Sequence, residues 1–554
     1  MTDGSGASAD RGAAADRGAA ADRGARNGVA RWDRFVLPAL LALAAVMRFP
    51  NLATRGTWEA DQGHDMLTLR ALVQDGIVPL LGPPTSIGDV HHGAWYYYLL
   101  SPAAALTGGD SPLAVVALIA LAGVAAVGVV WWLARQVGGP VAGAVAGLVA
   151  ALSAAAIDES TFIWNPNLIA LSSAIALAGT WRAWSGGERR WWLLAALGTA
   201  VTMQCHILGV ALLPVVAVPL IADARRRPLG PIALGIVAIF AAAYLPLLLN
   251  ELSTGGSELR AALDYLAGGR SVSDVAIPVR FAIAGLRVLS WPLTGLITEG
   301  FVAAALASIA VIAIAVWRSL ADGPDRLAAR WLGLGLLWST AFLTLAAPSL
   351  ASVVPGLPND HYHAFADPMV FTLVGLGAAA FASLPIPNVG ADRRPAAVIV
   401  AVGVAALLGW NVTHLPPTTN PDGGFPAGEA AAQQVEAALA TAGISRDAVV
   451  RIRSLPTFKS TEAMAYPLLR DGLPILADMA KGTAPGSTRQ DPSPGGLVLL
   501  CDDRFHAAIG AHCDGPAEAA VTPDAGGTAW GPLLVRFEMA PDRFVSVYGP
   551  ATAP

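Results

Sequence analysis

A short stretch near the start of the chain carries a high density of ionisable side chains. Residues 58–65 read Trp-Glu-Ala-Asp-Gln-Gly-His-Asp. A helix over 62–75 would place Asp61 and Asp65 one turn apart on one face. A carboxylate in a cleft can take a proton from a hydroxyl group when burial and neighbouring groups tune its pKa. Because Asp is also a favoured helix N-cap, the pattern alone supports catalysis and capping about equally.

Further polar groups recur where apolar segments end. His91 and His92 follow a Gly- and Pro-rich turn at 81–88 that could contact a phosphate or a sugar, although a turn of this type is a weak signal. Adjacent histidines without a third ligand nearby do not predict a metal site. The later groups are Asp158, Glu159, Trp164, Asn165, Asn167, Gln204, His206, His361 and Tyr362. Each of these alone is better explained as a helix cap or an interfacial anchor.

The composition indicates which solvent surrounds these groups. The chain has 554 residues, of which 55% are hydrophobic and 14% are charged, with a mean hydropathy of +0.55. Soluble domains carry about 25% charged residues, so the deficit predicts a protein that lies in lipid. The arginines are scattered in small groups and form no basic stripe, so nucleic acid is not an expected partner.

Apolar runs long enough to cross the hydrocarbon core as helices recur between residues 34 and 412. Eleven are predicted, at 35–50, 112–134, 140–156, 167–184, 191–204, 207–222, 231–249, 300–317, 331–347, 363–385 and 396–412. With the N-terminus inside, every connection on that side carries arginine and the short outer turns carry none, which is the positive-inside bias. The inside arginines are Arg135, Arg182, Arg189, Arg190, Arg225, Arg226, Arg227, Arg318, Arg326, Arg330, Arg393 and Arg394.

This topology predicts a lopsided molecule of the plasma membrane. Two long loops, 51–111 and 250–299, and the tail 413–554 all face outward, so any chemistry is expected outside. The topology also requires 94–108 to lie along the outer surface. The three consecutive tyrosines at 96–98 would suit an interfacial helix there.

The two ends of the chain differ from the membrane segment 34–412. Residues 1–33 are polar, repeat Ala-Asp-Arg-Gly, and predict a disordered tail. Residues 413–554 mix helical and strand-like patterns and predict a small α/β domain. Its Cys501 and Cys513 would pair if the domain lies outside, where thiols oxidise, and two free thiols is the alternative. The predicted fold class is an all-α polytopic membrane protein of about eleven transmembrane helices with a C-terminal extracytoplasmic α/β domain.

Six motifs, in order along the chain, resemble those of the bacterial GT39-like, PMT-type glycosyltransferases. They are Asp61-Gln62-Gly63-His64-Asp65, Gly82-Pro83-Pro84-Thr85-Ser86-Ile87-Gly88, Tyr96-Tyr97-Tyr98, Trp164-Asn165-Pro166-Asn167, Gln204-Cys205-His206 and a helix exit from Pro246 to Asn250-Glu251-Leu252. The resemblance covers residues 35 to about 380. It implies a GT-C fold, an acidic active site in the first outer loop and polyprenyl-phosphate sugars as donors. Departures from the family pattern at Thr161, His92-Gly93-Ala94 and His64 bear on donor identity more than on reaction type.

The resemblance implies that Asp61 is the catalytic acidic residue, with Asp158 or Glu159 in a supporting role. A polyprenyl-phosphate leaving group needs charge neutralisation, and arginine binds phosphate through strong two-point hydrogen bonds. The candidate arginines of the second long loop are Arg260, Arg270, Arg280 and Arg287. Each is equally well explained as a contact to lipid headgroups. The expected substrate contacts are Asp65, His64, His91, His92, Trp164, Asn165, Asn167, Gln204, His206, His361 and Tyr362.

The predicted function is inverting transfer of a sugar from a polyprenyl phosphate to a hydroxyl group of a cell-wall glycan, lipid or protein, with Asp61 as general base. No cofactor is expected, and the sequence does not exclude a divalent metal. The main alternative is a transporter or flippase for a lipid-linked substrate. Transporters usually place charges near mid-membrane on broken helices and contain repeated spans, whereas these spans are nearly free of charge. A sensor or scaffold that displays the C-terminal domain is a third reading, for which eleven spans are far more than an anchor needs.

Overall fold

The computed structural model describes residues 32–85, 90–269, 274–295, 300–351, 360–385, 394–456, 461–477, 495–521 and 530–550. Most of the predicted tail, Arg270 and the end of the 81–88 turn lie outside these ranges. The described chain is mostly helical.

The helices of the membrane segment include all of the predicted apolar runs, and further helices lie in the two long predicted loops, 51–111 and 250–299. They are α1 (32–48), α2 (Leu52–Arg55), α3 (Ala60–Arg70), α4 (Trp95–Ala105), α5 (Pro112–Leu152), α6 (Ala154–Asp158), α7 (Ile169–Trp184), α8 (Trp191–Cys205), α9 (Leu212–Arg226), α10 (Pro231–Thr254), α11 (Ser257–Asp264), α12 (Ile277–Thr294), α13 (Phe301–Leu320), α14 (Arg326–Ala346), α15 (Asp367–Ala382) and α16 (Arg394–Thr413). Single 3₁₀ turns at Asn165–Leu168, Ile207–Ala211 and Asp360–Ala366 precede α7, α9 and α15.

The described chain contains seven helices that are, by length and composition, able to cross a membrane. They include the 41-residue α5, which bends at Gly139, where φ is 83°, next to Pro140. The bend divides α5 into two arms and accounts for two of the predicted runs. All eleven predicted runs coincide with helical segments. The protein is therefore a multi-pass membrane protein.

Glycine and proline set the limits of the second long loop, 250–299. Helix α10 ends at Gly255, whose φ of 67° is in the left-handed region that terminates helices. Helix α12 has a proline in its first turn and ends before Gly295, where φ is 66°. Because α12 buries Val288 and Leu293 while Phe281 stays exposed, it packs along one face against the bundle.

The helix predicted along 94–108 is present as α4, but its tyrosines differ from the prediction. Tyr96 and Tyr97 are 0% and 1% exposed, because both hydroxyls donate hydrogen bonds to the buried carboxylate of Asp65. Tyr98 is partly exposed, and its hydroxyl donates to the carbonyl of Pro79. The interfacial interpretation is therefore wrong for Tyr96 and Tyr97, since a polar partner inside the protein makes their burial favourable.

The C-terminal region folds as a small mixed sheet with helices. Its strands are β1 (Val450–Leu455), β2 (Ile475–Ala477), β3 (Gly496–Asp502), β4 (Leu533–Ala540) and β5 (Arg543–Tyr548), and its helices are α17 (Gly424–Thr441), α18 (Thr461–Arg470), α19 (His506–Ile509) and α20 (Pro516–Val521). The strand order is β2-β1-β3-β5-β4, with β1 parallel to β2 and β3, and β5 antiparallel to β3 and β4. A disulfide joins Cys501 to Cys513, as predicted.

Candidate functional site

Helix α3 carries the acidic motif and begins at Ala60 because a capping box closes its first turn. Glu59 is the N-cap: its side chain accepts from the backbone of Gln62, and the Gln62 side chain accepts from the Glu59 N–H at 2.9 Å. Asp61 lies in the first turn and is exposed, whereas Asp65, one turn later, is 1% exposed. Two carboxylates of one short motif thus occupy different environments.

Asp65 is held at the centre of a buried cluster of hydroxyl groups. Its Oδ2 accepts from the Tyr96 hydroxyl at 2.6 Å and its Oδ1 from the Tyr97 hydroxyl at 2.9 Å. Burial raises the pKa of Asp65 to about 8, the two tyrosine hydrogen bonds oppose this rise, and the charge of Asp61 adds to it. Asp65 is therefore mostly protonated at neutral pH, and tyrosine hydroxyls occupy both of its oxygens, so it fits a structural role rather than that of the base.

Five predicted substrate contacts converge into one aromatic group, which we call the histidine box. It consists of His92, His206, His361, Tyr362 and Trp164. The ring centroids of His206 lie 4.8 Å from His92, 5.3 Å from His361 and 5.3 Å from Tyr362. The His361 centroid lies 4.2 Å from Tyr362 and 4.3 Å from Trp164. These residues come from four separate segments of the chain.

Hydrogen bonds between the motifs hold the box to the neighbouring loops. The Gln62 side chain of α3 donates to the carbonyl of Ile163 at 2.8 Å. The Asn165 side chain donates to the carbonyl of Cys205 at 2.5 Å. The N–H of Gly93 donates to the carbonyl of Gln204 at 2.9 Å, and a Cβ at Gly93 would overlap the Gln204 side chain. The other predicted asparagine contact, Asn167, donates to the carbonyl of Phe162 within its own turn.

The partners of His92 and His206 fix the tautomer of each ring. The N–H of Ile207 donates to Nδ1 of His92 at 3.3 Å, and the N–H of Leu208 donates to Nδ1 of His206 at 3.2 Å. A ring that accepts at Nδ1 carries its proton at Nε2. Burial lowers the pKa of both histidines well below the usual value, and each is lowered further by a neighbouring histidine. Both rings are thus neutral and present Nε2–H donors, which suit an oxygen acceptor.

Metal-ligating groups are arranged closely enough for an ion at two places among the described residues, both in the C-terminal domain. The first group contains the two cysteines of the disulfide, whose sulfurs are already bonded to each other. The second consists of Asp503, His506 and His512 at the surface of the domain. The expectation that the reaction needs no cofactor stays a prediction.

The two adjacent carboxylates of the second predicted acidic turn, Asp158 and Glu159, lie in different environments. Asp158 is exposed. Glu159 points inward, where its Oε1 accepts from the indole N–H of Trp291 on α12 at 2.8 Å. Burial and the charge of Asp367 raise the pKa of Glu159. Asp367 in turn lies 3.7 Å from Nδ1 of His363. Glu159 is thus part of an inner group that joins the turn to two further helices.

The remaining histidines of the first long loop, 51–111, have defined partners or deep burial. His64 is buried, which lowers its pKa to about 4, with a further lowering by His91. Nδ1 of His91 lies 2.9 Å from Oε1 of Glu258, and its backbone N–H donates to Oε2 of the same carboxylate at 2.8 Å. Glu258 belongs to α11, so this pair ties the two long loops together.

The structure separates the predicted phosphate-binding arginines. Arg260 is exposed and donates to the carbonyls of Gly255 and Thr254, where it caps the end of α10. Arg280 is partly buried on α12. Arg287, also on α12, is 2% exposed and close enough to His361 for their charges to interact. Among the described candidates, Arg287 is the one that interacts electrostatically with a member of the histidine box.

Sequence reasoning missed Arg48, a buried cation inside the first span. Its guanidinium donates to the carbonyls of Ala151, Ala150 and Ala156 at 3.1 to 3.3 Å and satisfies the end of α5. Arg48 lines one cavity together with Glu159 and Asp367. An arginine within an apolar run is itself a signal, because such residues face the protein interior or a polar cavity.

Comparison with known proteins bears on the resemblance. Residues 91–249 match the family model of the dolichyl-phosphate-mannose-protein mannosyltransferases. The crystal structure of ArnT from Cupriavidus metallidurans in the apo state is 16% identical, with coverage of 94% of this chain and 98% of that chain and a TM-score of 0.50. For the crystal structure of the same protein bound to undecaprenyl phosphate, the identity is 17%, the coverage is 93% of this chain and 98% of that chain, and the TM-score is 0.49. For the Archaeoglobus fulgidus oligosaccharyltransferase in complex with zinc and sulfate, the identity is 14%, the coverage is 85% of this chain and 68% of that chain, and the TM-score is 0.49. No protein with curated function matches the sequence.

The match to the family model and the likeness to apo ArnT both include segments that build the site. The segment matched by the family model contains the tyrosine, Trp164–Asn167 and Gln204–His206 motifs. The likeness to apo ArnT extends over nearly the whole of both chains and shows a shared fold. The resemblance is therefore confirmed: this chain has the GT-C fold, and its segment 91–249 matches the PMT-type glycosyltransferase family.

Proposed function

We propose that this chain is a membrane glycosyltransferase that moves a sugar from a polyprenyl-phosphate donor to an acceptor hydroxyl. The donor class is supported by the family model that matches residues 91–249, whose name specifies a lipid-phosphate-linked sugar. We assign the site to the outer side of the plasma membrane, because the opposite connections carry the arginines. The acceptor is a cell-wall glycan, a lipid or a protein.

The observation that carries this proposal is the attachment of the acidic helix α3 to the histidine box. Gln62, the residue after Asp61, donates to the carbonyl of Ile163. Trp164, which directly follows Ile163 in the chain, packs against His361. We infer that Asp61, which is exposed in the first turn of α3, faces the same site as the neutral hydrogen-bond donors of the histidine box. Sugar hydroxyl groups accept such hydrogen bonds, and aromatic rings pack against the apolar faces of sugars.

The chemistry assigned to these residues is a direct displacement. The acceptor oxygen attacks the anomeric carbon and loses its proton to the carboxylate of Asp61. The bond between the anomeric carbon and the phosphate oxygen breaks, and its electron pair leaves with the polyprenyl phosphate. Arg287 is the described arginine best placed to stabilise the negative charge on that phosphate. One displacement inverts the configuration of the anomeric carbon.

The test is sugar transfer in membranes that contain the protein, with radiolabelled polyprenyl-phosphate sugars as donors. Asp61→Asn removes the proton acceptor with little change in shape, so turnover should fall by about 10²- to 10⁴-fold. The KM for the donor should change little, because the carboxylate acts on the acceptor. Asp75→Asn, which alters an exposed carboxylate at the end of the same helical segment, is the matched control and should keep full activity.

The opposite pattern assigns the base elsewhere. Near-normal turnover in Asp61→Asn, together with its loss in Glu159→Gln or Asp158→Asn, would place the base at the second acidic turn. If no donor yields a transfer product while the protein moves lipid-linked substrate between leaflets, the transporter alternative replaces the enzyme.

A further inference from the structure

The C-terminal domain holds part of the membrane segment in the place where such sheets hold ligands. Parallel strands β1 and β3 are neighbours that end at Leu455 and Asp502. From β1 the chain passes through α18 to β2 on one side, while β3 lies on the other. In open α/β sheets, ligands bind beyond the carboxyl ends of the strands at this change of direction. Here the occupant is Trp58–Glu59, the segment that leads into α3.

Trp58 is anchored in this crevice as a buried side chain. Its indole N–H donates to the carbonyl of Ala463, in the first turn of α18, at 2.8 Å. Its ring centroid lies 4.7 Å from that of Phe425 and 5.7 Å from that of Tyr466, both in the C-terminal domain. The backbone N–H of Trp58 donates to Asp422 at 3.0 Å. Both the side chain and the backbone of Trp58 are therefore fixed by the domain.

Glu59 joins a network of charges that reaches the end of β3. Its Oε1 lies 2.9 Å from Nη2 of Arg543 and 3.5 Å from Nη2 of Arg504. Arg543 is 0% exposed and also donates to Asp502 at 3.1 and 3.2 Å and to the carbonyl of Trp58 at 3.2 Å. Arg504 pairs with the same Asp502 at 2.7 and 2.9 Å. Since Arg543 has no access to water, Glu59 and Asp502 supply the negative charge that its burial requires.

One turn later, α3 touches the domain through its backbone. Gly63 packs against the main chain of Glu462, and a Cβ at this position would overlap the Glu462 carbonyl. Asp61 lies between the two attachment points, Glu59 and Gly63. The position of Asp61 along the helix axis is thus fixed by contacts on either side.

We propose that the C-terminal domain is a positioning device for the active site and that Glu59 and Arg543 are its positioning residues. This inference rests on the proposed function of Asp61. The pair holds the first turn of α3, and therefore the carboxylate of Asp61, at the distance that proton transfer from the acceptor needs. A misplacement of about 1 Å is enough to lower turnover by up to about 100-fold.

The test is a double-mutant cycle in the full-length protein in membranes. Glu59→Gln removes the charge but keeps the shape of the N-cap, and Arg543 keeps Asp502 as its partner. Turnover should fall by about 10- to 100-fold with the donor KM within about twofold of wild type. Added to Asp61→Asn, the same change should cost less than about twofold, because Glu59 acts through Asp61. Glu429→Gln, which breaks a carboxylate–arginine pair with Arg470 inside the domain, is the matched control and should keep full turnover.

The outcomes separate this inference from the function on which it rests. If Asp61→Asn abolishes transfer but Glu59→Gln retains wild-type turnover, the positioning role is overturned and the proposed function stands. Equal losses from Glu59→Gln in the wild-type and Asp61→Asn backgrounds would show a general effect on folding, and this result also overturns the positioning role. If Asp61→Asn itself keeps full turnover, the proposed function fails first.

Discussion

The protonation of Asp65 predicts how the stability of this protein depends on pH. Its carboxyl group is 1% exposed, and its pKa is raised from 3.8 to about 8, chiefly by burial. Between these two values the folded chain holds a proton that the unfolded chain releases. The contribution of this proton to the free energy of unfolding is therefore fully present at pH values below 3.8 and is lost as the pH rises from 3.8 to about 8.

The size of the effect follows from a single proton. One bound proton changes the free energy of unfolding by about 1.4 kcal/mol for each pH unit inside the window. From pH 5 to pH 7, wild-type protein should lose up to about 3 kcal/mol through this group. Asp65→Asn has a similar shape and does not titrate, so its stability should change less over the same range. At pH 7 the variant should be at least as stable as wild type.

The assay is thermal unfolding in detergent or nanodiscs, followed by the fluorescence of the 16 tryptophans, at half-unit steps from pH 5 to pH 8. The difference between the melting temperatures of Asp65→Asn and wild type should increase steadily with pH. Asp75→Asn, at an exposed site of the same helical segment, should follow the wild-type curve. Parallel curves for Asp65→Asn and wild type would refute the argument, since they would show that Asp65 binds no additional proton in the folded state.

Two further predictions concern the C-terminal domain and the topology. Replacement of Cys501 and Cys513 by serine opens a loop with a sequence separation of 12, which should cost about 3 kcal/mol of stability; an unchanged melting temperature would contradict this. A cysteine at Thr441, exposed on α17, should react with an impermeant thiol reagent in intact cells, whereas one at Asp322 should react only after permeabilisation. The reverse pattern would invert the proposed orientation.

Much of the fold could be predicted because helices in lipid depend on local composition. Each of the eleven apolar runs is helical, since a backbone in the hydrocarbon core must satisfy its own hydrogen bonds. The mixed pattern of residues 413–554 predicted an α/β domain, and the structure has both strands and helices there. The three-residue β2 is too short for a periodic signal, and β5 begins with Arg543 and interrupts its apolar residues with Ser546. The burial of Arg543 is explained only by its tertiary partners Glu59 and Asp502.

The site was less predictable because its residues depend on partners far away in the sequence. The spacing predicted that Asp61 and Asp65 lie one turn apart on a helix, as they do in α3. It could not show that the hydroxyls of two tyrosines would hold Asp65 in the interior. His91 was expected to contact substrate, yet Glu258, 167 residues away, binds its Nδ1. No periodicity in a single chain reports such pairs. Local sequence patterns therefore locate the motifs. Only the tertiary contacts show which residues of these motifs are buried and structural and which are exposed.

The contrast between the two carboxylates of α3 also narrows the choice of base. A base must lose its proton before the reaction and meet the acceptor in the site. Asp65 fails the first condition, because burial keeps it protonated at neutral pH. Glu159 fails both, because burial and Asp367 raise its pKa and the indole of Trp291 occupies one of its oxygens. Environments that push the pKa values of neighbouring acids apart are how one site separates its roles. Asp61 is exposed in the first turn and held from both sides by the C-terminal domain, so we propose it as the base, with the exposed Asp158 as its rival.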